Sequence, residues 1–383
     1  MKKILIVAMA DSVHTARWIR QFDDDEIEFI LFPSTPHRRI HPLIKNRLEE
    51  SGSTLKISQW MKFTALPLGV ADLIFSNFFR AKLLAREIRN FKPDLIHVME
   101  TQHAGYLTDK ALESIKLKQK VILSIWGSDL YWFSQFSKHM VKLRSVLSKV
   151  DLLIMECRRD QELAISLGYA GSFYEFMPAT GGMNTELLSK KARIVAPKDR
   201  KWVAVKGYSG FVGLGKDAVK VVAKIESQIE DFSVFVYSVG LGTWWNSRNL
   251  RKKMGARLVM ARKHTLTNNQ IEEMFLKSRV ALGLSLSDGL PATVKEAMCM
   301  GAFPIQTSTS CAAEWFTDGV GGILVQPNDS TATATALLRV LRDDQLVDNA
   351  MDINLKQSEY LFSSKVLTQK AKSLYSSVLE EDL

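Results

Sequence analysis

Several things are scarce in this 383-residue chain. No apolar run approaches the roughly 20 residues that a membrane-spanning helix requires. The opening Met1-Lys-Lys-Ile-Leu-Ile-Val-Ala-Met-Ala10 has the small-residue ending of a secretory signal. It is too short for one and reads as a first buried strand. Cysteine is rare: Cys157, Cys299 and Cys311 stand in apolar or helical contexts with no metal-ligand spacing. Buried thiols in a reducing, cytoplasmic compartment are the expectation. Low-complexity segments and short repeats are absent. Acidic residues are in deficit, 41 Asp and Glu against 51 Lys and Arg, leaving a formal charge of +10. That balance favours anionic partners such as nucleotides, anionic lipid surfaces or nucleic acid. No interleaved aromatic–basic motif or known nucleic-acid module accompanies it, so nucleic acid is not an expected partner.

What is present is a regular alternation. Apolar residues make up 46% of the chain, enough for full cores. Short apolar runs at Ile4–Met9, Ile27–Phe32, Leu95–Met99, Val121–Ile125, Leu152–Met155 and Phe173–Met177 alternate with helical patterns near His14–Phe22, Leu73–Phe91, Gly105–Ile115, Lys138–Val150 and Arg159–Leu167. Continuous apolar strands between helices mean a parallel sheet covered on both faces. The pattern restarts at Trp202–Val205 and continues through Ser233–Tyr237, Arg257–Met260, Val280–Leu286, Phe303–Gln306 and Ile323–Val325. The expected architecture is α/β: two doubly wound, Rossmann-like domains facing a cleft. Its divisions are 1–185, a polar linker 186–200 without clear periodicity, 201–355, and a helical segment 356–383.

The most informative stretch is Ser285-Leu-Ser-Asp-Gly-Leu-Pro-Ala-Thr-Val-Lys-Glu-Ala-Met-Cys-Met-Gly301. It reads as a strand end, a turn and a helix from Thr293 to Met300 ended by Gly301. Pro291 suits a first helical position, where a missing N–H costs nothing. The free amides of Ala292 and Thr293, with the helix dipole, would make an anion site. Glu296 follows Thr293 by three residues and shares its face. One strand end thus offers a carboxylate, a phosphate cradle and a second carboxylate. A sugar nucleotide needs that set: an acid for sugar hydroxyls, amides for the diphosphate, an acid for the ribose. The pair could also be helix-start acids favoured by the dipole, or a hydrolase's two carboxylates, although a hydrolase has no need of a phosphate cradle. Downstream of Trp202–Val205, Lys206-Gly-Tyr-Ser-Gly210 and Gly213-Leu-Gly-Lys216 let backbone approach phosphate beside a lysine. The P-loop spacing is absent.

These segments resemble the retaining glycosyltransferases of family 4. The carrier of the resemblance is Asp288-Gly289-Leu290-Pro291…Glu296-Ala297-Met298-Cys299-Met300-Gly301, with Asp where the first acid is usually Glu. Phe303-Pro-Ile-Gln, Glu314, Asp318-Gly319 and Gly322-Ile-Leu-Val-Gln-Pro327 look like its continuation, Trp126-Gly127-Ser128-Asp129 like its acceptor-side motif, and Asp94-Leu-Ile-His97 like the strand before that. The resemblance implies a GT-B fold, with residues 1–185 taking the acceptor, 201–355 the donor, and the last helix crossing back to the first domain. It implies transfer of a hexosyl-type sugar from a nucleoside diphosphate sugar, a UDP-sugar, to a hydroxyl of a glycan or lipid-linked acceptor in cell-envelope polysaccharide biosynthesis. Retention of configuration, without metal or further cofactor, goes with it. By resemblance, Asp288, Lys216 and Glu296 carry catalysis. Lys206, Gly207, Ser287, Gly289, Leu290, Pro291, Ala292, Thr293, Glu296 and Glu314 hold the donor.

Ser12 and His14, after the first strand, are read into the cleft on the acceptor side, with Trp126 and Asp129. Ser128 and Asp129 could equally cap a helix, and His14 and Arg17 could decorate one. Relatives carry glycines where Ser12 and His14 stand, and several have His where this chain has Trp126. His97, Glu100 and His103 lack the spacing of a zinc helix, and no Asp-x-Asp motif stands in the context that metal-dependent transferases use. A basic face from Lys82, Arg86 and Arg89, then Lys138, Lys142, Arg144 and Lys149, with Arg38, Arg39, Lys45 and Arg47, could meet anionic lipid on the inner face of the cytoplasmic membrane. An ordinary solvated face explains it as well. Two other readings stay open: an inactive GT-B homologue acting as a nucleotide-sugar-binding or scaffold subunit, and a nucleotide-sugar epimerase of the same architecture.

Overall fold

The computed structural model describes residues 1–22, 27–37, 39–58, 77–115, 119–179, 181–263 and 265–380. Arg38 and the segment 59–76, which holds parts of the expected Leu73–Phe91 helix, lie outside the described residues. The chain divides into two compact units. One is Met1–Gly181 together with the chain from Leu367 on; the other is Gly182–Val366.

The first unit is built on seven strands: β1 (Lys2–Ala8), β2 (Ile27–Pro33), β3 (Leu55–Ile57), β4 (Leu95–Met99), β5 (Lys120–Ser124), β6 (Leu152–Ile154) and β7 (Ser172–Phe173). All pair in parallel, in the order β3-β2-β1-β4-β5-β6-β7. Strand β1 is fully buried from Ile4 to Ala8, as a central strand covered on both faces must be. Helices Phe78–Phe91 and Ser137–Leu147 cover one face, burying Leu84 and Ile88 from the first and Leu143 and Val146 from the second. Helix Val13–Arg20 and the last helix, Ser364–Glu380, cover the other. Residues from Leu367 on pack into this unit through Leu367, Ala371, Leu374 and Tyr375.

The second unit has six parallel strands: β8 (Trp202–Lys206), β9 (Ser233–Val239), β10 (Leu258–Arg262), β11 (Ser278–Gly283), β12 (Phe303–Thr307) and β13 (Ile323–Val325), in the order β10-β9-β8-β11-β12-β13. Helix Gly215–Ile225 buries Val219, Val222 and Ile225, the spacing that its sequence sets out. Both sheets reverse direction of growth once, between β1 and β4 and between β8 and β11. In open parallel sheets, ligands bind beyond the carboxyl ends of the strands at such a switch point.

The polar segment 186–200 is not an unstructured link. Asn184 caps a helix, Thr185–Ala192, whose Leu188 and Ala192, four apart, are buried in the second unit. Its charged outer face masked the period. Arg200 follows, buried, donating to the carbonyls of Ala192, Ser278 and Met300.

Candidate active site

In the second unit, the switch point brings Lys206 and Asp288 together. Lys206 ends β8, and its Nζ lies 3.4 Å from Asp288 Oδ2. Asp288 turns its other oxygen, Oδ1, to the amide of Gly289 at 3.1 Å. Behind them the backbone is packed with no room for side chains. Gly207 N donates to Tyr237 O at 2.7 Å, and a Cβ on Gly215 would lie 2.4 Å from the carbonyl carbon of Gly207. Glycine is therefore required at Gly215 by contact with backbone that cannot move aside. Lys216 comes next, at the second position of its helix and exposed, its side chain lying against Gly242.

The second element at this switch point is the helix Ala292–Met300. Pro291 is its cap, not its first residue: at φ −62° and ψ 130° it is extended, and its carbonyl accepts from Val294 N at 2.9 Å. The correction moves the helix start by one residue and leaves the amides of Ala292 and Thr293 as its first two donors, which no turn of helix precedes. Gly301, at φ 69°, ends it. Thr293 is buried and its Oγ1 bonds the Tyr237 hydroxyl at 2.6 Å. Burial, and then the charge of nearby Glu296, push the Tyr237 phenol well up. Glu296 is half-buried on this helix. Ser287 and Leu290 are buried, and Gly289 O accepts from Cys311 N at 3.0 Å, which pins the turn. Glu314 is exposed, at the end of a short 3-10 turn, Cys311–Glu314.

The first unit's switch point is different. Ser12 caps helix Val13–Arg20, accepting from His14 N at 3.2 Å. The His14 ring packs on Trp126, centroids 4.6 Å apart. Asp129 is 4% exposed, and its Oδ2 accepts from Thr101 N at 2.9 Å, Thr101 Oγ1 at 3.1 Å and Trp126 N at 3.0 Å. It ties the loop after β4 to the loop after β5. Burial, then the charge of Glu100, push its carboxyl well above the usual range. Glu100 itself sits at φ 79°, a left-handed conformation that costs a non-glycine residue energy and gathers at functional sites. Its carboxylate accepts from the amides of Gln102, His103 and Ala104 and lies 3.2 Å from the His103 ring. The Glu100 hydrogen bond raises the pKa of His103. In the same unit, Ser34 Oγ, Thr35 Oγ1, His37 Nδ1 and Trp126 Nε1 are buried with no hydrogen-bond partner among the described residues.

Neither the strain at Glu100 nor the Tyr237 hydroxyl is legible from sequence alone. The pair Gly240-Leu-Gly242 after an apolar strand was a readable signal for the loop against which Lys216 rests. His97 is no ligand in this structure. Its Nδ1 bonds Tyr375 OH and its Nε2 bonds Ser124 Oγ, both at 2.7 Å.

Residues 3–156 match the family model described as glycosyl transferase 4-like, and residues 211–343 match that of glycosyl transferases group 1. The chain belongs to the family-4-like GT-B glycosyltransferases. No curated protein matches the sequence. Among solved structures, this glycosyltransferase is similar to sucrose-phosphate synthase from Thermosynechococcus elongatus, at 13% identity and a TM-score of 0.76, covering 100% of both chains. It is similar to Anabaena HepE, solved in complex with UDP-glucose, at 15% identity and a TM-score of 0.67, covering 98% of this chain and 100% of that one. It is also similar to the lipopolysaccharide outer core galactosyltransferase WaaB, at 13% identity and a TM-score of 0.66, with 100% of both chains covered. At such identities the likeness is one of fold. Among the described residues, no helix is long and apolar enough to cross a membrane.

Proposed function

We propose that this glycosyltransferase retains anomeric configuration, works without metal, and moves a sugar from a UDP-sugar to a hydroxyl of a glycan or lipid-linked acceptor in cell-envelope polysaccharide biosynthesis. The second unit takes the donor and the first takes the acceptor. The observation that carries this is the convergence at the β8/β11 switch point: two lysines, a glycine-lined floor and an open helix start, all suited to a diphosphate. Asp288 and Glu296 orient sugar and ribose. Lys216 and the amides of Ala292 and Thr293 stabilise the leaving diphosphate. The acceptor oxygen bonds to the anomeric carbon on the face from which the diphosphate departs, and a diphosphate oxygen takes the acceptor proton. No enzyme nucleophile is needed, and the protein contributes orientation and charge stabilisation.

HepE in complex with UDP-glucose supports UDP as the carrier, and WaaB's printed role as an outer core galactosyltransferase supports an envelope acceptor. The same reading places the protein on an anionic membrane surface. The test is release of UDP from UDP-sugars in the presence of a chelator and a membrane lipid extract, with the product's anomeric configuration read by NMR. Transfer with retention and undiminished by chelator is expected. Transfer with inversion, or loss of transfer with chelator, contradicts the reading. A second reading rests on Asp288, one methylene shorter than the family's usual acid and already engaged by Lys206: a subunit that binds sugar nucleotide without transferring. UDP-sugar binding with no transfer to any acceptor supports it.

A further inference from the structure

The second unit carries an exposed basic surface that begins at the loop on which Lys216 rests and runs away from it along the following helices. Residues 232–271 contain no Asp or Glu but seven Lys or Arg. Within them, helices Leu241–Asn246 and Arg248–Met254 join through Ser247, which is itself in the right-handed helical region. Ser247 N donates to Thr243 O at 3.0 Å and Arg251 N to Ser247 O at 2.8 Å, so the turn is hardly broken. Thr243, Ser247, Leu250 and Met254 are buried. Leu241, Trp245, Arg248 and Lys252, spaced four, three and four residues apart, fall on the opposite face of a helix of this pitch. All four are exposed, Leu241 by 73% and Trp245 by 69%.

Cations flank the stripe. The Arg251 and Arg262 guanidinium groups lie 4.1 Å and 5.3 Å from the Trp244 ring, which holds two positive charges beside the helix. Lys263 is exposed just beyond the edge strand β10, where Val259 is exposed too. Lys253 is engaged by Glu226 at 2.7 Å and does not count towards the free charge. A merely solvated helix would interleave acids with these bases and would not spend a tryptophan and a leucine on water.

We propose that the stripe Leu241–Trp245–Arg248–Lys252 docks the second unit on an anionic lipid bilayer. The leucine and tryptophan enter the interfacial layer, and the cations meet lipid phosphates. A bilayer offers both needs at once: a sheet of negative charge and, about 5–10 Å beneath it, hydrocarbon. Tryptophan prefers that boundary. The inference rests on the reading that the protein works at a membrane, and it moves the contact from the first unit's basic helices to the second unit. In the first unit, Arg47 is buried and donates to Phe22 O, and Lys149 is bound to Asp109 at 2.5 Å, so neither is available to lipid.

The experiment is co-sedimentation of the full chain with vesicles of phosphatidylcholine, with and without phosphatidylglycerol, alongside a UDP thermal shift as a check on the fold. The parent should partition onto the anionic vesicles only. Trp245→Ser, and Arg248→Glu combined with Lys252→Glu, should each reduce that partition by about tenfold or more and keep the UDP shift. Lys138→Glu with Lys142→Glu, in the first unit, should change it by less than about twofold. Stripe variants that bind vesicles like the parent overturn the assignment and leave the membrane reading standing. A parent that ignores anionic vesicles overturns both. Loss of the UDP shift in Trp245→Ser, with vesicle binding kept, makes the stripe part of the nucleotide site and also overturns the proposal.

Discussion

The two switch points use their polar groups in opposite ways. In the second unit the floor is glycine and open helix start: Gly207 against Gly215, the first amides of helix Ala292–Met300, and lysines with part of their charge in solvent. In the first unit the carboxylates are spent internally. Glu100 is satisfied by three amides and a histidine, Asp129 by Thr101 and Trp126, and both are 4% exposed. Under the proposed donor role, an exposed Lys216 and the first helix amides stand ready for a diphosphate, while Lys206 is already paired with Asp288. Under the proposed acceptor role, the first unit would offer rings and hydroxyls, among them His14, Trp126, Ser34 and Thr35, beside a braced loop frame. Each site holds a strained non-glycine residue at or just after a strand's carboxyl end, Glu100 at φ 79° after β4 and Ser238 at φ 53° in β9.

Substitutions break this contrast in order of size. Glu296→Ala should lower donor affinity and turnover by about 100-fold or more while melting like the parent, because it removes a charge-assisted contact and no core packing. Retained activity would remove Glu296 from the site. Lys216→Ala should cost about 10–100-fold in turnover and little in donor affinity, read from steady-state kinetics. Tyr375→Phe tests the first unit: it deletes a hydroxyl bonded to Trp18 Nε1 at 2.8 Å and to His97, and should cost about 1–3 kcal/mol of stability with donor affinity untouched. His97 gives the smallest effect near neutrality. Burial lowers its pKa to about 3. The unfolded chain therefore binds a proton below about pH 6.5 that the folded one refuses, so stability falls as pH drops from there towards 3, by about 1.4 kcal/mol per unit at most. Hydrogen-exchange protection of β4 should show that slope in the parent and lose it in His97→Gln. An unchanged slope would place the titration elsewhere.

Sequence carried the second site further than the first, for a physical reason. Residues 285–301 hold strand end, acid, turn and helix in one continuous segment, so local rules reach most of it; only the first helical position slipped, from Pro291, which is the cap, to Ala292. The first site is assembled by long-range contacts. Nothing local to Glu100 announces a left-handed backbone, and Asp129's partners are 28 residues away at Thr101 as well as local at Trp126. Helix Thr185–Ala192 escaped notice because only two of its apolar positions are buried under a charged face, although Asn184 is a proper cap. Nothing local to Trp245 announces its exposure, which is a tertiary fact.

The most direct test of the account is a metal-free thermal-shift titration with UDP and UDP-sugars on the parent and Glu296→Ala. Binding to the folded state raises the midpoint by mass action. The account predicts a concentration-dependent rise in the parent that is largely lost in Glu296→Ala. No rise with any nucleotide at millimolar concentration, or an equal rise in both proteins, would contradict a donor site at the β8/β11 switch point.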